Sequence, residues 1–171
     1  MNIYTTKFQK IFVYSKPSHK SELITQLLSN EFVFVLEENG SWSYIQFKKN
    51  KDKGWVLSSL ITKVKNNQER VYDIQEFNKT NLIAILNQYK NVPYLWGGAT
   101  NLGIDCSGLS MNLYQHFGIF LPHFASKQIK LGNTILSIEN AKCGDLLFFK
   151  NDKNVIYHVS IFISKNKIVH S

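Results

Sequence analysis

The sequence predicts an α+β protein in two parts: a small all-β domain, then a domain of helices packed on an antiparallel sheet. Residues 1–63 read as short runs of strand formers at the spacing of a small barrel. Residues 79–171 place helical periodicity first and apolar strand runs afterwards, the order of an α+β domain. Between them, Val64 to Asn78 mixes charges and amides with few large apolar groups and is expected to be a linker over 64–78.

Composition narrows the function classes. The 171 residues are 44% hydrophobic and 19% charged, enough for one good core or two small ones and too apolar for wholesale disorder. No apolar run approaches the ~20 residues of a membrane span. Met1 to Lys20 lacks the apolar core and cleavage site of a signal peptide, so a cytoplasmic location is expected. Two cysteines, Cys106 and Cys143, fit a reducing compartment. The net charge of +8 would attract anionic partners, yet Arg70 is the only arginine among 20 basic residues. Phosphate and base readers favour arginine's bidentate fork, so no nucleic-acid partner is expected.

Taken in order, Lys10–Tyr14, Leu23–Leu28, Glu31–Leu36 and Trp42–Phe47 read as strands, with Asn39-Gly40 as a hairpin turn and Gly54-Trp55-Val56 closing the domain. After the linker, Thr80 or Asn81 could cap a helix carrying Leu82, Ile85, Leu86 and Tyr89 and ending near Asn91. Asp105 is placed to cap a second helix, along which Leu109, Leu113 and Phe117 recur every four residues before Gly118 stops it. Gly118 to His123 reads as a loop and Ser126 to Leu131 as a short helix. Leu146-Leu147-Phe148-Phe149, His158–Ser164 and Ile168-Val169-His170 read as three strands.

Cys106 would open the second helix, where the dipole favours a thiolate. A nucleophilic cysteine also needs a base and a group that orients the base. His158 opens a strand and His170 lies on the next, although a ladder count sets them out of register and contact would need sheet curvature. Taken singly, each of these residues also reads as an ordinary packed or surface residue. His19, His116 and His123 lack a comparable context and read as structural or solvated. Cys106, Cys143, His158 and His170 could ligate zinc by type, but the paired spacing of zinc sites is missing, so no metal or cofactor is expected.

The ordered strings narrow these alternatives. Pro93-Tyr94-Leu95-Trp96-Gly97-Gly98, Asp105-Cys106-Ser107-Gly108-Leu109, Leu121-Pro122, Gln128, Gly144-Asp145-Leu146-Leu147-Phe148-Phe149, His158-Val159 and Val169-His170 closely resemble the catalytic domain of the NlpC/P60 family of cell-wall cysteine peptidases. Pro17-Ser18, Glu37 to Trp42 and Gly54-Trp55-Val56 resemble a bacterial SH3-like domain. The pair together resembles γ-D-glutamyl-diamino acid endopeptidases. The resemblance implies a papain-like domain, with Cys106 as nucleophile, His158 as general base and His170 orienting it. It implies further that Tyr94 lines the site beside the oxyanion, and that Asp105 and Ser107 meet the N-terminal side of a murein peptide beginning L-Ala-γ-D-Glu. Two positions depart from the family pattern: Cys143 replaces a proline, and Asp52-Lys53 replaces an aromatic before Gly54-Trp55. A strand ending at Ser171, one residue past His170, is expected to fray and to orient His158 poorly. The alternative reading is therefore a weakened or non-catalytic module that binds murein peptides.

Overall fold

The computed structural model describes residues 2–64 and 69–171, so positions 65–68 of the expected linker lie outside the described residues. The chain divides into two units, Met1–Tyr72 and Asp73–Ser171.

The first unit is a curled antiparallel sheet of β1 (Ile3–Thr6), β2 (Lys10–Tyr14), β3 (Leu23–Leu28), β4 (Val33–Asn39), β5 (Trp42–Phe47), β6 (Lys53–Leu57) and β7 (Ile61–Lys63). Its order is β3-β2-β6-β5-β4-β1-β7. Period-two alternation turns Ile11 and Val13 of β2 inward, against Leu27, Val33, Ile45, Phe47 and Val56. Asn39 pairs with Trp42 across the expected turn, with Gly40 at φ +58°. The short strands β1 and β7 escape the sequence pattern because neither carries an apolar run. They exist through pairing, β1 with both β4 and β7. Part of the expected linker lies on this unit: the Arg70 N–H donates to Asn30 O at 2.7 Å and the Tyr72 hydroxyl to Glu31 at 2.9 Å.

The second unit begins α1 (Lys79–Asn87), capped by Asn78, whose side chain accepts the Asn81 N–H at 2.9 Å. The cap thus falls before Thr80 and Asn81, the positions expected to hold it. The helix also ends before Asn91, because the bonds of Gln88, Tyr89, Lys90 and Val92 tighten to the third residue back. The hairpin β8 (Ala99–Thr100) and β9 (Gly103–Ile104) leads into α2 (Cys106–Gln115), followed by α3 (Ala125–Gln128). The three-stranded antiparallel sheet β10 (Leu146–Lys150), β11 (Ile156–Ser164) and β12 (Lys167–Val169) completes the unit in the order β10-β11-β12. Leu109 and Leu113 of α2 pack with Ile161 and Ile163 of β11 and with Leu82, Ile85 and Leu86 of α1. This packing lays the start of α2 across the start of β11. Among the described residues, no helix is long and apolar enough to cross a membrane.

One close approach sets the entry to α2. A Cβ at Gly108 would run into the Gly98 carbonyl, and that carbonyl also accepts the Asp105 N–H at 3.2 Å. Gly→Ala inside a helix ordinarily stabilises by about 0.5–1 kcal/mol. Gly108→Ala should instead destabilise the second unit by about 1–3 kcal/mol through overpacking, measured by urea denaturation. A stabilised variant would refute the close approach.

Candidate active site

Of the residues singled out from the sequence, Tyr94, Asp105, Cys106 and Ser107 lie at the entry to α2, while His158 and His170 meet on the β10–β12 sheet. Pro93 to Leu95 runs beside Ile104: the Leu95 N–H donates to Ile104 O and the Ile104 N–H to Pro93 O, both at 3.1 Å. Tyr94 is thereby fixed next to the Asp105-Cys106 step, with its ring half exposed.

Asp105 caps α2 as expected, its Oδ1 accepting the Gly108 N–H at 2.6 Å. Its Oδ2 accepts the Gly97 N–H at 2.8 Å, from a left-handed turn at φ +68°. The Ser107 hydroxyl donates to Oδ1 at 3.2 Å. His123 Nε2 stands 3.0 and 3.1 Å from the two oxygens. Asp105 is 5% exposed and His123 1%. Burial by itself would push the Asp105 carboxyl up, but the hydrogen bond and charge of His123, with the Gly108 and Gly97 amides, hold it below the ordinary carboxylate value.

Cys106 is buried, and the Val159 backbone N–H is near enough to favour its thiolate, so the thiol lies near the residue that follows His158. Val159 pairs with Phe148, and His158 with Phe149. Ile161 pairs with Val169. Continuing that register would set His170 level with Ser160, two residues along from His158 and on the same face. The imidazoles of His158 and His170 meet edge to face, with centroids 5.0 Å apart and planes at 86°. His170 is exposed. The strand end that carries it is tied down, because the Ser171 hydroxyl donates to Ile104 O at 3.0 Å.

The electrostatics depart from a simple dipole argument. Burial pushes the Cys106 thiol up; the Val159 amide opposes this, and the Asp105 charge adds to it, leaving the thiol above its ordinary 9.0. Burial, and then the charge of His170, lower His158 below its ordinary 6.5. Both shifts favour a neutral thiol and a neutral imidazole at rest. Burial likewise raises the Tyr94 phenol, helped by the charges of Asp105 and Cys106, which places its hydroxyl in their field.

Two supports of the site were assigned no role from sequence. His123, expected to be structural or solvated, is the buried partner of Asp105. Its signal was the buried cap itself, since an ionised side chain with so little exposure needs a partner. Gln128 donates through Nε2 to Pro122 O at 2.8 Å and Ser107 O at 3.0 Å, while the Ser110 hydroxyl donates to its Oε1 at 2.7 Å. Cys143, half buried, packs against the second core and lies outside this constellation.

Iodoacetamide alkylation of Cys106, followed against pH by peptide mass spectrometry, should rise through a midpoint above 9.0. An acidic midpoint would mean a preformed thiolate–imidazolium pair and contradict the neutral resting state.

Comparison with known proteins agrees with this architecture. Residues 91–171 match the NlpC/P60 family and residues 10–62 the bacterial SH3 domain. A Bacillus cereus protein named gamma-D-glutamyl-L-lysine dipeptidyl-peptidase is 27% identical over 93% of this chain and 46% of its own length. An Escherichia coli K12 protein named murein DD-endopeptidase MepS/murein LD-carboxypeptidase is 37% identical over 51% of this chain and 47% of its own. The chain thus spans about half the length of these curated relatives. The crystal structure of an NlpC/P60 family protein from Bacillus cereus ATCC 10987 aligns with a TM-score of 0.52 and 25% identity, covering 99% of this chain and 54% of that one. The second unit therefore belongs to the NlpC/P60 family, and it follows a bacterial SH3 domain.

Proposed function

We propose that the chain is a cysteine endopeptidase that hydrolyses the γ-D-glutamyl–diamino acid bond of peptidoglycan stem peptides, preferring a free L-Ala-γ-D-Glu N-terminus. The observation that supports this reading is the Val159 backbone N–H near Cys106, one residue along β11 from His158, with His170 edge-on to the His158 imidazole. The names of the two relatives, one a γ-D-glutamyl-L-lysine peptidase and the other a murein endopeptidase, support the substrate class.

In this mechanism the Cys106 sulfur attacks the γ-glutamyl carbonyl carbon while His158 takes the thiol proton. The backbone N–H of Cys106 and the Tyr94 hydroxyl face the oxyanion. The tetrahedral intermediate collapses with cleavage of the C–N bond, and His158 gives its proton to the leaving amine. A water, deprotonated by His158, then attacks the thioester and releases L-Ala-γ-D-Glu and the thiol. His170 orients His158. Asp105 and Ser107 border the N-terminal side of the substrate, where the same carboxylate that caps α2 attracts a free α-amino group.

A second reading, a murein-peptide-binding module without useful catalysis, is favoured by one observation: the site is biased toward uncharged thiol and imidazole. Incubation with L-Ala-γ-D-Glu-diaminopimelate separates the two. Release of L-Ala-γ-D-Glu, abolished in Cys106→Ala, supports the peptidase. Peptide binding without release, or unchanged release by Cys106→Ala, refutes it. The pH profile adds a check with a definite sign. His158 must be unprotonated to accept the thiol proton, and its pKa is lowered. The acid limb of kcat/KM should therefore fall below pH 6.5, and a limb above that value would contradict the assignment of His158 as base.

A further inference from the structure

We propose that His123 is a positioning residue for the reaction: its imidazole holds the Asp105 carboxylate and, through it, the turn and helix start that present Cys106. The inference rests on the peptidase reading above and adds to it a residue that touches neither substrate nor nucleophile.

The geometry is that of a clamp. Asp105 receives backbone donors from both sides of the close approach, Gly97 before it and Gly108 within α2. Their positions depend on how the carboxylate is turned. Among the described residues, His123 is the hydrogen-bond partner of that carboxylate that comes from a distant segment, 18 residues along the chain, and it reaches both oxygens. Its own segment is fixed to the same helix turn by Gln128, which joins Pro122 O to Ser107 O. Side chains 1% and 2% exposed thus lock residues 122–128 onto the first turn of α2. The pair has an electrostatic consequence as well. A bare carboxylate one residue from a nucleophilic sulfur disfavours its thiolate, and a donor on the carboxylate draws that charge away. Asp105 and Tyr94 are the titratable groups whose fields meet at Cys106, and His158 lies one residue from Val159, whose amide faces the thiol. All three are retained when only His123 is changed.

The experiment compares full-length wild type, His123→Gln and His123→Arg, with thermal melts to establish folding. The readouts are steady-state hydrolysis of L-Ala-γ-D-Glu-diaminopimelate and peptide-resolved iodoacetamide alkylation against pH. His123→Gln should lower kcat at least tenfold with KM within twofold, and move the Cys106 alkylation midpoint to higher pH while Cys143 is unchanged. His123→Arg, whose guanidinium can donate to both carboxylate oxygens, should recover most of kcat. A lower melting temperature with kcat and midpoint at wild-type values would overturn the inference and leave His123 a structural residue. A shifted midpoint in a protein that hydrolyses nothing would uphold the positioning role and refute the peptidase. If His123→Gln does not fold, histidine-selective NMR of the wild type decides. A slowly exchanging His123 Nε2 proton that is lost in Asp105→Asn supports the clamp, and its absence overturns it.

Discussion

The second unit depends on one buried carboxylate. Asp105 accepts four protein donors: the Gly97 and Gly108 amides, the Ser107 hydroxyl and the His123 imidazole. A helix cap alone contributes about 0.5–2 kcal/mol. Leaving a buried charge without its partner costs about 3–5 kcal/mol. The larger figure is the cost of stripping a partner from the buried carboxylate, so losing His123 should disturb the entry to α2 more than losing the cap bond. Gly98 and Gly108 then make sense together: a side chain at Gly108 would push the helix off the Gly98 carbonyl, and one at Gly98 would run into the Leu95 and Gly103 carbonyls that shape the turn.

The same burial that makes the turn rigid decides the charge state of the nucleophile. A helix N-terminus favours an anion by about 0.3–1 kcal/mol at exposed sites. Desolvating an ion costs several kcal/mol, and the neighbouring Asp105 charge adds to that cost. Dipole and amide donors do not offset the two, and the thiol stays neutral at rest. His158 is moved in the complementary direction by burial and by His170. Proton transfer then accompanies attack, and the geometry that holds Cys106 beside β11 matters more than a standing thiolate.

Much of this was legible in the sequence because it is local or strongly periodic. The Asp105 cap, the apolar stripe of α2 and the strands β10 to β12 follow from residue type and spacing. The α+β architecture with a small β domain first followed from the order of those patterns. What escaped was set by tertiary pairing. The strands β1 and β7 are too short to show a pattern, and Asn78, not Thr80 or Asn81, satisfies the first amides of α1. The role of His123 was hidden for the same reason: 18 residues separate it from Asp105, and only the packed core makes an unpartnered carboxylate untenable there. The neutral bias of Cys106 was unreadable as well, since the dipole can be inferred from position but burial cannot.

The claim on which the account turns is that Cys106 forms the covalent intermediate in a turn held by Asp105. Rapid acid quench of wild-type protein during turnover of L-Ala-γ-D-Glu-diaminopimelate, followed by peptide mass spectrometry, tests it most directly. The account predicts an L-Ala-γ-D-Glu acyl group on Cys106 and none on Cys143. Product release with no adduct on Cys106, or an adduct on another side chain, would contradict it.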